Sequence, residues 1–273
     1  MNRLLFFLKR VVRIDYKRMG KTMDYLVKKS GKSRAWLLYD MTRCALKYNA
    51  GYMDYKIAEM YRLTDEQKKT VITRGISNTI VRNMNDKAYW HIFDDKTAFN
   101  TVFAADIKRS WMKFSSDTTL DELKAFLQEN PDVIAKPLEG SSGVGIARYT
   151  KQDFEGREEE FRRELIAKQT GILEERLIQH DRMMDMCPTS VNTIRIATLL
   201  GDKKQGVVYA FLRIGIGAVM DNVDCGGMAA RVDLDTGKLL TVGADKAGNT
   251  YETHPITGTP IVGFEVPYFK EAV

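Results

Sequence analysis

Apolar positions in the first ninety residues recur at helical spacing. Leu4, Leu5, Leu8, Val11, Val12 and Ile14 form one stripe, with Lys9, Arg10, Arg13 and Lys17 off it. Gly20 reads as the stop of that helix. Ser33 is placed to cap a second helix carrying Trp36, Leu37, Leu38, Met41, Leu46 and Tyr48, which should end near Gly51. Thr64-Asp-Glu-Gln67 is a capping-box pattern that opens a third through Val71 and Ile72. From about residue 90 the grammar changes. A short helix is predicted over 97–105 and another over 120–128, capped by Thr119-x-x-Glu122 and stopped by Asn130-Pro131. Strand, loop and strand follow over 132–149, then an acidic helix over roughly 155–168. Residues 172–178 read as strand running into connector. Alternating runs at 190–200, 206–214 and 229–234, with turns at Gly201-Asp202 and Asp235-Thr236-Gly237, predict a set of hairpins. The expectation is a helical module over 1–90 and an α+β domain over 91–273, not a doubly wound sheet.

Composition agrees with a chain of 273 residues that can build sizeable cores, being 44% hydrophobic and 29% charged. The net charge of +6 hides an asymmetry. Residues 1–90 hold 20 Lys and Arg against 8 Asp and Glu, whereas residues 91–273 hold 22 against 28. A basic front module could face nucleic acid, anionic lipid or an anionic substrate, but its cations are interspersed among core-type residues, as on solvated helix faces. No aromatic-plus-basic strand motif accompanies them, which argues against nucleic acid; peripheral membrane contact is left open. Cys44, Cys187 and Cys225 have no C-x-x-C spacing and leave an odd thiol, which fits a reducing compartment. The three scattered histidines suggest no zinc site. The apolar run near Met1 is too short for a signal-peptide core or a membrane span, so a cytoplasmic location is expected.

The stretch over 133–146, Val-Ile-Ala-Lys-Pro-Leu-Glu-Gly-Ser-Ser-Gly-Val-Gly-Ile, carries the first candidate chemistry. Lys136 ends an apolar run, a small-residue loop follows (Gly140, Ser141, Ser142, Gly143), and a second strand begins. Glycines let backbone N–H groups approach an anion, serine hydroxyls add donors and the lysine adds a charge. Phosphate clamp and ordinary hairpin both fit these residues. Arg195, in Val191-Asn-Thr-Ile-Arg-Ile-Ala197, and Arg213, one strand later, are arginines among apolar residues, a setting that calls for an anionic partner. That partner is either a transferring phosphoryl group or carboxylate, or a structural acid. Asp221-Asn-Val-Asp-Cys-Gly-Gly227 is either a plain turn or a wall of an acceptor pocket.

In order along the chain, Lys96, Lys136-Pro-x-Glu-Gly-Ser-Ser-x-x-Gly145, Leu173-Glu-Glu175, Gln179-His180, Pro188-x-Ser-Val-Asn-Thr-Ile-Arg195, Val232-Asp-x-Asp-Thr-Gly237 and His254-Pro-x-Thr-Gly258 resemble the ATP-grasp superfamily. The sugar-transfer-associated ATP-grasp family, relatives of glutamate ligases and of D-alanine–D-alanine ligase, is the nearest pattern, from about Asp94 onward. The resemblance implies ATP between two α+β subdomains. Lys96 and Lys136 would contact phosphates, with Glu139, Gly140, Ser141, Ser142 and Gly143 forming a lid. Backbone around Glu174, Glu175 and Leu177 would bond the adenine, with Ile172, Leu173, Leu177 and Ile178 against its faces. His180 or Asp181 would reach the ribose, and Arg195 and Arg213 would act on the reacting groups. Without the clamp upstream, Glu174-Glu175-Arg176 reads as an exposed charged connector. The resemblance further implies a ligase joining a carboxylate to an amine through an acyl phosphate, on small-molecule or glycan-linked substrates, in cell-surface polysaccharide modification. A sugar phosphotransferase, or a non-enzymatic basic module with a degenerate nucleotide fold, are the alternatives. Such ligases hold Mg²⁺ with an aspartate and a later Glu-x-Asn. None follows before Val273, and Asp233-Leu-Asp-Thr-Gly reads better as a turn, so the expectation is a chain truncated at its C-terminus, with the metal ligands beyond Val273.

Overall fold

The computed structural model describes residues 14–138, 145–202 and 205–273, and the chain divides into two compact units, Met1–Tyr89 and Trp90–Val273. Of the first predicted stripe only Ile14 falls within the described residues.

The helical unit is built on α1 (Tyr16–Ser30), α2 (Arg34–Tyr48), α3 (Tyr52–Ile57), α4 (Asp65–Thr70) and α5 (Arg74–Met84). Asp15 caps α1 by accepting the Arg18 N–H at 2.9 Å, and Gly31, at φ 69°, ends it. Gly20 therefore sits inside α1 instead of stopping it. A mid-helix glycine costs roughly 1 kcal/mol, less than the burial of Met23 and Leu26 one and two turns on returns. Ser33 caps α2 as its sequence predicts, accepting from Trp36 N–H at 3.2 Å. The helix stops at Asn49 in the left-handed region (φ 53°), two residues short of Gly51. The Thr64–Gln67 capping box opens α4, but the helix ends at Thr70, and Val71 and Ile72 lie beyond it. Leu26, Leu37, Cys44, Tyr55 and Met60 form the fully buried centre.

Within that apolar centre lies an ion pair. The Lys68 ammonium donates to both Asp40 carboxylate oxygens at 2.9 and 2.8 Å, and the Tyr55 hydroxyl donates to Oδ2 at 2.7 Å. Both charges are buried, so the pair holds its place only because each member satisfies the other.

The second unit begins with α6 (Trp90–Asp94) and α7 (Lys96–Val102) and contains two antiparallel sheets. The first consists of β1 (Trp111–Lys113), β2 (Asp132–Lys136), β3 (Ala147–Thr150) and β4 (Ile172–Glu175) in the order β1-β4-β2-β3. Packed on it are α8 (Leu120–Glu129), α9 (Lys151–Phe154) and α10 (Glu158–Ala167), around Leu123, Leu127, Val133, Phe161, Leu165 and Leu173. The acidic helix expected over roughly 155–168 is α10, starting three residues later because Gly156, at φ 78°, parts it from α9. After α11 (Asp181–Met186) comes the second sheet, β5 (Thr193–Leu200), β6 (Gln205–Ile214), β7 (Met228–Val232), β8 (Gly243–Asp245) and β9 (Thr250–Tyr251), in sequence order. The chain closes with α12 (Phe269–Ala272). Alternation decides which way each strand looks. Val133 and Ala135 of β2 enter the first core, leaving Ile134 and Lys136 on the other face. Likewise Leu212 and Ile214 of β6 and Ile194 and Ile196 of β5 face the second core, so Arg213 and Thr193 look the opposite way. The Asp233 carboxylate accepts from the backbone of Asp235 and Thr236, so that segment is the turn its sequence suggests.

Replacing Lys68 by Ala should leave the buried Asp40 carboxylate with only the Tyr55 hydroxyl and a 3.7 Å contact to Arg43, destabilising the helical unit by about 3 kcal/mol. The Asp40→Leu/Lys68→Met double variant should recover most of that loss. Urea unfolding followed by circular dichroism distinguishes the two outcomes.

Candidate active site

A cavity of about 470 Å³ opens within the second unit, inside the range of about 300–1,000 Å³ usual for small-molecule sites. Its charged lining comprises five cations (Arg109, Lys136, Arg148, Arg176, Arg213) against three acids (Glu174, Glu175, Asp221), an excess that favours an anionic ligand.

The centre of one wall is Glu174, on β4. Its carboxylate is almost wholly buried, at 3% exposure. It accepts from Arg109 Nη2 at 2.9 Å and from Asn100 Nδ2 at 3.3 Å, and it pairs with the Lys136 ammonium. Register brings these groups together: Lys136 on β2 lies opposite Ile172, two residues before Glu174 on β4, and Asn100 comes from α7. Burial pushes the Glu174 carboxyl up, but the Arg109 hydrogen bond and the Lys136 charge together outweigh it, and the net shift is downward. Arg109 Nε is buried without a hydrogen-bond partner among the described residues, a donor left over for a ligand. Lys96, the first residue of α7, donates to the Leu138 carbonyl, two residues past Lys136, at 3.1 Å and does not line the cavity. Glu139, Gly140, Ser141, Ser142 and Gly143 lie outside the described residues.

Along the exit of β4 the chain is part strand, part open backbone. Glu175 N–H donates to Ser110 O at 2.8 Å and Arg176 N–H to Asp132 O at 2.9 Å. For Leu177 and Ile178 no backbone hydrogen bond exists among the described residues. Both side chains are exposed and line the cavity with Ile134, Ile146 and Met184. Unused N–H and C=O groups between apolar walls suit a flat heteroaromatic ring. Ile172 and Leu173, expected at this ring, are fully buried instead, because β4 is an inner strand covered on both faces. Nor is Glu174-Glu175-Arg176 an exposed connector: Glu175 accepts the Ser110 N–H at 3.0 Å, and Arg176 meets Asp132 at 3.4 Å. Asp132 also holds Arg148 through two bonds of 2.9 and 2.7 Å, and chiefly for that reason its carboxyl lies below the usual range.

The opposite wall comes from the second sheet. Arg213 donates to Thr193 Oγ1 from Nε at 2.9 Å and Nη2 at 2.7 Å, and its Nη2 lies 3.4 Å from Asp221. Asp221 in turn accepts from the Thr193 N–H at 2.9 Å and from its hydroxyl. Gly227 permits this arrangement, since a Cβ there would run into the Asp221 carbonyl oxygen.

The family model for sugar-transfer associated ATP-grasp matches residues 76–273. The chain belongs to this family. The match starts in α5, ahead of the motifs that begin near Asp94, and leaves α1 to α4 outside it. No curated protein matches the chain. Membership in the ATP-grasp family implies nucleotide binding and points to an ATP-dependent, ligase-like or sugar-transfer-associated role.

Within this ATP-grasp fold the expected site residues fall into two groups. Lys136, Glu174, Glu175, Leu177 and Arg213 line the cleft. Lys96, Arg195, His180 and Asp181 do not. Arg195 shares the cleft-side face of β5 with Thr193 but is exposed and makes no ion pair among the described residues. His180 caps α11, its Nδ1 accepting the Arg182 N–H at 3.1 Å, and its ring lies edge-on to Tyr268. Nothing in the sequence marks Arg109, and Gln179 enters only as part of the Gln179-His180 motif, with no role of its own. Arg109 is delivered by the pairing of Ser110 with Glu175, a long-range register. Gln179 donates to Cys187 O at 2.6 Å and Ser190 O at 2.9 Å, while its Oε1 accepts from Asn192 N–H at 2.9 Å and from Asn192 Nδ2 at 3.1 Å. The His254-Pro-x-Thr-Gly motif is structural. Two backbone N–H groups donate to His254 Nδ1, so Nε2 carries the proton and donates to Gly215 O at 2.8 Å.

The donor set fits a nucleotide: unpaired Arg109 Nε, open backbone at Leu177 and Ile178, and a cationic lining. It does not fit a divalent cation, because no three His, Cys, Asp or Glu side chains are grouped among the described residues.

Glu174 also makes the site acid-sensitive. Its folded carboxyl lies below the ordinary value of about 4.3, so its pairing adds stability that is complete above that pH and is lost as pH falls through the folded value. The stability gap between wild type and Glu174→Gln should therefore be widest near neutrality and close on acidification, as urea unfolding at a series of pH values would measure.

Proposed function

We propose that this chain is an ATP-dependent carboxylate–amine ligase acting through an acyl phosphate, in the modification of cell-surface polysaccharide. The observation that carries the reading is the presence of cations at both walls of one cleft, Lys136 on the first sheet with Arg109 just before β1, and Arg213 on the second sheet, with apolar faces between them. In this reading adenine lies against Ile134, Leu177 and Met184 and uses the open backbone at Leu177 and Ile178. The polyphosphate meets Lys136 and Arg109. A carboxylate oxygen of the acceptor attacks the γ-phosphorus, the bond to the ADP oxygen breaks, and ADP leaves. The amine nitrogen then attacks the acyl carbon, phosphate departs with the bonding pair, and the nitrogen loses a proton. Arg213, braced by Thr193 and Asp221, is placed to hold the charge that builds on the reacting oxygens. Neither His180 nor Asp181 is assigned to the ribose, since both lie off the cleft lining.

Incubating the protein with ATP, a uronic or amino acid and hydroxylamine should release ADP and yield a hydroxamate. A stable phosphorylated sugar with no hydroxamate would replace the ligase reading by the phosphotransferase one.

A lysine–phosphate contact contributes about 1.5–3 kcal/mol, so Lys136→Ala should weaken ATP binding about ten- to a hundredfold in calorimetric titration. Because Lys136 also pairs with Glu174, the variant should melt somewhat below wild type as well. Unchanged ATP affinity in the folded variant would remove Lys136 from the site.

A further inference from the structure

The helical unit carries a surface that its own fold leaves unexplained. On α2, Leu37, Asp40, Met41, Cys44 and Tyr48 face the core. The opposite face repeats the same spacing with Ala35, Leu38, Tyr39, Thr42 and Leu46, all exposed, without one charge among them. Leu38 is 50%, Tyr39 68% and Leu46 45% exposed. A surface helix ordinarily has one apolar face; this one has two. At its first turn Trp36 is partly exposed beneath the Lys32 ammonium, 4.1 Å from the ring centroid.

The charges around it are arranged one-sidedly. Residues 14–89 hold 16 Lys and Arg against 8 Asp and Glu. Every one of those acids is occupied within the unit. Asp24 pairs with Arg34, Asp40 with Lys68, Glu59 with Lys29, Asp65 with Arg43 and Lys47, and Glu66 with Lys69. Asp15, Asp54 and Asp86 accept backbone N–H groups. The outer row of α1 keeps its cations uncompensated: Lys17, Lys21 and Lys28 are exposed and make no ion pair among the described residues. The Arg34–Asp24 pair joins the outer rows of α1 and α2 beside the turn between them.

We propose that the α1–α2 hairpin seats the protein on an anionic lipid surface, with Leu38, Tyr39 and Leu46 entering the headgroup region and the α1 lysines meeting lipid phosphates. An apolar stripe flanked by cations and aromatic rings has the chemistry of an interfacial helix. Nucleic acid would satisfy the lysines but leave the Leu38–Leu46 stripe in water. A second copy would cover the stripe while bringing two strongly basic units together, so charge opposes it. The surface lies outside the family match and does not depend on what the cleft catalyses.

The full chain should co-sediment with phosphatidylcholine vesicles containing phosphatidylglycerol, bind far more weakly to pure phosphatidylcholine, and be released by salt. Leu38→Glu should lower the vesicle affinity by more than about tenfold, and Lys21→Glu by about fivefold or more. Both positions are exposed, so unchanged melting should accompany the loss, and Tyr39→Ser gives a second, milder check. Absence of vesicle binding, equal binding by Leu38→Glu, or a dimer in light scattering that Leu38→Glu dissolves while vesicles capture nothing would each overturn the proposal.

Discussion

One buried carboxylate organises the cleft. Glu174 sits on an inner strand where no water can solvate it, so β4 tolerates the charge only while Arg109, Lys136 and Asn100 converge on it. That requirement ties together three parts of the first sheet's surroundings: the strand that ends at Lys136, the segment before β1 and the helix α7. Binding chemistry follows from the same requirement. Two cations held by one anion leave one unit of positive charge in excess, and this surplus lies at a cavity wall where an incoming polyanion would find it.

Local signals in the sequence were legible wherever local physics determines the structure. Ser33, Thr64 and Thr119 cap helices as their spacing predicts, and β2, β3 and the hairpins of the second sheet lie within two or three residues of the alternation that foretold them. Failures share one cause, which is tertiary context. Gly20 ends nothing because the apolar stripe of α1 continues past it. Ile172 and Leu173 resemble a ligand-facing edge in sequence, but an inner strand in a four-stranded sheet buries them.

The site divides along the same line. Lys136 and Arg213 could be picked out because one ends and the other interrupts an apolar run, whereas Leu177 was reached only through the family resemblance. Arg109 could not, since its position depends on the pairing of Ser110 with Glu175, sixty-five residues apart in the chain. Gln179 shows a subtler gap: it belongs to a recognisable motif with His180, yet its role is visible only once the carbonyls of Cys187 and Ser190 close around its amide.

That amide has a consequence for how the cleft can move. Gln179 follows directly on the open backbone of Leu177 and Ile178, and it grips Asn192, the residue that leads into β5 and also accepts the Gly215 N–H. These bonds, 2.6 to 3.1 Å long, reach Gln179 from Cys187, Ser190 and Asn192, all on the second-sheet side. The seam between the two walls is thus anchored at one end: from Gln179 onward the chain is tied to β5, whereas Leu177 and Ile178 join it to β4 with no backbone hydrogen bond among the described residues. Any rocking of one sheet against the other would turn on those two residues.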